Sequence, residues 1–367
     1  MINDLRIHLA IIMYMFGCFS IMIFNAIIIY RKKYDDRAME RNTKKWAKAI
    51  NQQLNTKSGI AVINLKHKKH LLKRLLHAEK LIAFSNALTF IKQEHDDLYS
   101  KYLGMLAQSK VFHTLAPAYI QKKSEERAYF AYFVSQHPAI AKNLTDIMNE
   151  FIVSSDIYCR ANVLKALCKI GDMHGVESVL QFFSDKPIFI HHLLLAEDLF
   201  DFAGDKDALA LSLWGNYKFW NDNIVLGIIT FITMFSGRFK EAFLPVLQNR
   251  FTNGEIRLAI IRYYKDYSFK PAHPILIECL NQTDNYDIAI QAASALCAYP
   301  GPATTAALTS ALESENWHVR YNAAAALVEL GEHMGILNNS DTEVSEIILY
   351  ILAQNKTEKA ISMEMPI

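Results

Sequence analysis

ENWHVRYNAAAALVELG, residues 315–331, gives the key to the rest of the chain. Val319 and Arg320 open a helix, Ala323, Ala326 and Leu327 fall on one face of it, and Leu330-Gly331 close it. The same pattern stands at 159–171 as CRANVLKALCKIG, where Cys159, Arg160, Val163, Ala166, Leu167, Ile170 and Gly171 match position for position. Weaker copies fill the interval. Ile224 starts IVLGIITFITMFSG, Ile256 starts IRLAIIRYYKDYS and Ile288 starts IAIQAASALCAYPG, so these openings and that at Val319 are evenly spaced. The period is about 32 residues, within the range of solenoid arrays. IHHLLLAEDLFDFAG ends at Gly204, and ERAYFAYFVSQ places Arg127 one period before Arg160.

A second apolar helix precedes each copy; Leu276 and Leu280 in LIECLNQTDN recur as Leu308 and Leu312 in LTSALESEN, one period on. The unit is therefore helix, turn, helix, turn. A single pair cannot bury its apolar stripe, so neighbours stack and share a core. Small residues such as Ala323, Ala324 and Ala326 let adjacent helices approach, and Leu327 and Leu330 fill the layer between pairs. DTEVSEIILYILAQ, 341–354, is expected to cover the open end as a final helix, with a frayed tail after it.

Residues 316–331 resemble the DxxVRxxAAxALxxLG pattern of HEAT repeats, with Asn316 in place of the usual Asp. The short period resembles the HEAT-like repeats of the phycobilin lyases. The last two units and 156–171 carry the pattern; the middle units keep the spacing and lose the Arg and Ala signature. The architecture expected is all-α: a right-handed α-solenoid of HEAT-like helical pairs over 98–334, preceded by one transmembrane helix. The resemblance also implies an internal polar ladder for Arg127, Arg160, Arg257 and Arg320, with Asp156 serving Arg160 and Glu255 serving Arg257.

Residues 7–30, IHLAIIMYMFGCFSIMIFNAIIIY, contain no Asp, Glu, Lys or Arg. As a helix they are about 36 Å long, enough to cross a bilayer core of about 30 Å. His8 and Asn25 are the polar interruptions, and the flanks lack the cationic n-region and small-residue cleavage site of a signal peptide. Arg31, Lys32 and Lys33 follow at once, which by the positive-inside rule puts residues 1–6 outside and the repeats in the cytoplasm of a bacterial inner-membrane protein.

Charge is unevenly distributed. The whole chain carries +2, residues 31–80 carry +11 (15 Lys/Arg against 4 Asp/Glu), and 81–367 carry −9. A basic collar beside an acidic body is not the footprint of a nucleic-acid-binding domain. Residues 31–64 read as a juxtamembrane linker or helix with a turn at 55–59. Residues 65–97 read as a basic amphipathic helix, LKHKKHLLKRLLHAEKLIAF (65–84), leading into a degenerate first repeat. Lys66, Lys68, Lys69, Lys73 and Arg74 on it are candidates for contact with anionic lipid.

Little else suggests chemistry. Cys18, Cys159, Cys168, Cys279 and Cys297 form no CxxC pair and read as reduced core residues. His67, His70 and His77 lack a completing carboxylate or thiol, and His191-His192 beside Glu197 and Asp198 lacks ligand spacing. Glu125-Glu126 and Asp96-Asp97 suit helix N-termini. No phosphate loop, GxGxxG, HExxH or GxSxG occurs, so neither an enzyme nor a cofactor is expected. In LWGNYKFWND, 213–222, Trp214, Tyr217, Phe219 and Trp220 are either rings wedging irregular repeats or an exposed patch for a protein partner. Trp317 recurs as Tyr286 and reads as structural.

These expectations combine as a membrane-anchored cytoplasmic scaffold whose solenoid surface holds a protein partner. The partner expected is membrane-associated, of a cell-envelope or glycosyltransferase system. Tyr158, Asn162, Lys165, Gln291, Ser294, Tyr321 and Asn322, on the second helix of each pair, are the candidate contacts. Two rivals remain open: a HEAT-like lyase-type enzyme and a lipid-surface sensor working through 65–84. Residues 335–367 complete the chain as capping helix and tail.

Overall fold

An asparagine opens each later repeat. In the computed structural model Asn221, Asn253, Asn285 and Asn316 all accept backbone N–H bonds through Oδ1 at the start of a helix, and Asp156 does the same for Tyr158 and Cys159. Such caps satisfy donors that the helix itself leaves unpaired. The structure describes residues 2–54, 62–142, 144–153, 156–186, 189–282, 285–337 and 344–354, and no strand occurs among them.

The helices are α1 Ile2–Leu54, α2 Leu65–Arg74, α3 Ala78–Glu94, α4 Asp96–Ser109, α5 Val111–Ile120, α6 Ser124–Gln136, α7 Pro138–Ala141, α8 Thr145–Ile152, α9 Ile157–Ile170 and α10 Met173–Asp185. There follow α11 His192–Phe200, α12 Lys206–Gly215, α13 Asp222–Thr233, α14 Lys240–Gln248, α15 Gly254–Asp266, α16 His273–Leu280, α17 Tyr286–Leu296, α18 Pro302–Ala311, α19 Trp317–Leu330 and α20 His333–Leu337. Val344–Gln354, here α21, is the final described helix.

The chain divides into two units, Met1–Gly175 and Val176–Ile367. In the second unit α13, α15, α17 and α19 start at positions 222, 254, 286 and 317, the spacing read from the sequence. They lie side by side in a row with α11 in front, while α12, α14, α16 and α18 each pack on the following member of that row. In the first unit α6 packs on α9 and α3 on α1. Gly171 and Gly331 end α9 and α19 with φ of 72° and 79°, the left-handed turn that glycine adopts without strain.

The arginines are partly where the resemblance put them. Arg257 is buried and donates to Gln282 Oε1 and Cys279 Sγ of the next repeat, not to Glu255. Arg320 donates to the carbonyls of Ser314 and Glu315. Asp156 accepts from Ser124 Oγ at 2.7 Å as well as from its own helix. Burial raises the Asp156 pKa, but Ser124, the two cap N–H groups and the Arg127 charge together hold it below its ordinary value.

Two expectations need correction, the single helix over 65–84 and the core placement of all five cysteines. Residues 31–54, read as linker or helix, are helix: α1 is one 53-residue helix continuous from 7–30. Neither Gly nor Pro occurs from Cys18 to Ser58, so nothing stops it, and its far end is held because Trp46 and Ile50 bury against the first unit. Conversely, 65–84 is two helices, broken at Leu75–His77. There Tyr119 Oη donates to the Leu75 carbonyl at 2.6 Å, a tertiary contact that satisfies a helix-end acceptor. Finally, Cys18 is exposed on α1, whereas Cys159, Cys168 and Cys279 are core and Cys297 is half-buried. The turn at 55–59 and the tail after 354 lie outside the described residues.

Candidate partner-docking surface

Phenylalanines stand on the equivalent turn of three successive repeats of the second unit. Phe189, Phe219 and Phe251 each precede the first residue of a helix (α11, α13 and α15) by three positions. Their relative exposures are 65%, 74% and 99%, although burying such a ring contributes about 1.5–3 kcal/mol. Trp317, the first residue of α19, is also half-exposed at 48%.

The turns that carry these rings are tied to one another. Ser184 Oγ donates to the Phe219 carbonyl at 3.2 Å and accepts from the Asn221 N–H at 2.8 Å. Asn223 Nδ2 donates to the Ile190 carbonyl, and Asn253 Nδ2 to Asp222. Next to Phe251, Arg250 forms an ion pair with Glu278. Beside Phe251 lies a groove of about 640 Å³ walled by Tyr217, Trp220, Val225, Pro245, Val246 and Ile256. Phe219 and Phe251 therefore stand beside hydrogen-bonded turn residues, which lowers the entropy lost when a partner covers them.

The expected contact residues are less available. Trp214 and Trp220 are buried. Trp214 stacks on half-buried Tyr217 at 4.5 Å and meets Phe243 edge-on, and Trp220 Nε1 donates to the Leu213 carbonyl. This is the wedge alternative rather than a free patch. On the second-helix row, Arg262 donates to Gln291 at 3.2 Å and Lys265 to Ser294 at 3.0 Å, so both residues are engaged in a polar ladder from α15 to α17. Tyr321 stacks on Trp317 and donates to Gln354. Asn322 and Asn162 return a bond to their own helices, at His318 and Tyr158. Tyr158 is exposed and Lys165 half-buried, and these two with Asn162 lie in the first unit.

Elsewhere, Lys66, Lys69, Lys73 and Arg74 are exposed or nearly so, and Lys68 is half-buried. His67 bonds Tyr102 Oη at 2.7 Å, and burial, with His70 adding, pushes its pKa down to about 4. His191 and His192 stack at 4.7 Å; His191 caps α11, and burial lowers the His192 pKa. Sequence reading named Phe219 within the aromatic stretch 213–222 and missed Phe189 and Phe251. The available signal was an aromatic placed alike before consecutive repeat helices, recurring at close to the repeat period.

A family model of HEAT repeats matches residues 273–336, from α16 into α20. No curated protein matches the chain. Among solved structures the chain is similar to that of human deoxyhypusine hydroxylase in complex with glycerol, at 14% identity and a TM-score of 0.21, covering 79% of this chain and 97% of that one.

Proposed function

We propose that this HEAT-repeat chain is a single-pass membrane protein that docks a protein partner on its cytoplasmic side. The observation that carries the proposal is the row of exposed phenylalanines on tied turns. The three rings recur at equivalent positions before α11, α13 and α15, and aromatic anchors dominate interface energetics. The anchor reading is supported by α1, where every residue from 13 to 30 is exposed although nearly all are apolar. A core helix would bury one face; this one offers apolar side chains all round, as lipid requires. The cations at 31–33 favour a cytoplasmic repeat region, and a partner in a bacterial cell-envelope or glycosyltransferase system suits that placement.

The lipid-sensor reading is weakened by the length of α1. Trp46, where the first unit grips the helix, lies about 24 Å beyond Tyr30 along the axis. An upright helix therefore holds α2 outside the headgroup layer. We read the chain as a binding protein rather than an enzyme.

The test is photocrosslinking of the full-length chain in native membranes, followed by identification of the captured protein. Phe219→Ser with Phe251→Ser is expected to abolish capture, while a variant altered at Tyr158 and Lys165 retains it. Capture unchanged by loss of both rings would overturn the docking edge. Recovery of the chain in the soluble fraction would remove the anchor.

A further inference from the structure

Three helices of the first unit bring cations into one recess. Lys45 comes from α1, Arg74 from α2 and Lys80 from α3, and together with Asn42, Trp46 and His70 they line a cleft of about 130 Å³. No carboxylate lines it. Among the described residues none of the three cations has an ion-pair partner, whereas neighbouring Lys44 is paired with Glu40 at 2.6 Å. Glu79, adjacent to Lys80 in sequence, is exposed and makes no ion pair with them either.

The back wall is apolar and fixed. Trp46 is buried, with the His70 ring at 5.1 Å and the Phe84 ring edge-on at 5.2 Å. Its ring reduces water on one side of the cations and strengthens their mutual repulsion. The effect is visible at His70, whose pKa is lowered first by burial and then by the Arg74 charge. Lys45 and Arg74 are exposed and Lys80 is half-buried, and all three line a space that also holds an amide and an imidazole, both able to donate hydrogen bonds.

We propose that this cleft is a phosphate-binding site. An arginine fork and two ammonium groups around a small recess suit an anion with several oxygens. The phosphate belongs either to a soluble phosphorylated ligand or to a lipid headgroup. Residues 42–46 stand about 18–24 Å beyond Tyr30 along α1, and the headgroup layer is about 5–8 Å thick, so an upright helix favours the soluble source. The site is independent of the phenylalanine edge in the other unit.

The experiment is calorimetric titration of inorganic pyrophosphate into the full-length chain in phosphatidylcholine nanodiscs. Saturable binding is expected, weakened about 10-fold or more by Arg74→Gln or Lys80→Gln, each of which removes a charge-assisted hydrogen bond. Lys66→Gln and Lys69→Gln, on the same helix as Arg74 but outside the cleft, should leave binding unchanged. With no ligand present, Arg74→Gln should raise the melting temperature, since it removes a repelling charge without touching the core. Repeating the titration with phosphatidylglycerol in the discs separates the sources: unchanged binding assigns a soluble ligand, and binding lost by competition assigns a headgroup. No binding in phosphatidylcholine discs, or equal binding by all variants, would overturn the site.

Discussion

At Asn285 the side-chain oxygen accepts the N–H groups of Asp287 and Ile288, and the equivalent asparagine recurs at the openings of α13, α15 and α19. Replacing Asn285 by Ala is expected to cost about 1 kcal/mol, with Asn285→Asp near neutral, read as the urea midpoint of the second unit. The caps were partly legible, because Asn316 stands where the repeat pattern has Asp. His137 is a different case. It is buried, bonds Tyr99 Oη at 2.9 Å, and burial, with Lys92 and Lys169 adding, pushes its pKa down to about 4. A histidine kept neutral in the fold but free to charge when unfolded contributes stability above about pH 6.5, lost as pH falls toward 4. The chain should therefore denature at lower urea at about pH 5 than at pH 7.5, and His137→Asn should flatten that dependence. An unaltered slope in the variant would assign the effect to other groups, His67 first.

Among the elements, α1 runs on past residue 30 because a change of polarity is not a change of backbone preference. Residues 31–54 are as able to be helical as the apolar stretch before them, and burial of Trp46 and Ile50 stabilises the continuation. Trp46→Ala is expected to destabilise the first unit by about 3–5 kcal/mol and to expose 46–54 to limited proteolysis. If cleavage there is unaffected, the grip on α1 lies elsewhere. The break at Leu75–His77 was illegible for the opposite reason. No Gly, Pro or Asn marks it, and its determinant, Tyr119, is 44 residues away.

Across the molecule, the repeat period was readable because stacking imposes the same apolar spacing on each pair, as the starts at 222, 254, 286 and 317 reflect. The division at Gly175/Val176 was not, since it depends on which contacts are made and not on any punctuating residue. Two units should unfold separately. Trp46 reports on the first, and Trp214, Trp220 and Trp317 on the second. Melts of Trp46→Phe and of a variant keeping only Trp46 should give different midpoints, and coincident curves would argue for one cooperative body. The helical repeats, their period and the apolar character of α1 follow from local periodicity and composition, and so stand in the amino-acid order alone. Which aromatics face solvent and which cations meet was set by folding. Trp214 and Phe219 lie five residues apart in the same aromatic stretch, yet one is buried and the other exposed. Lys45, Arg74 and Lys80 share a cleft although they are scattered over three helices. Exposure and convergence depend on the partners that packing supplies, and residue type alone does not carry that information.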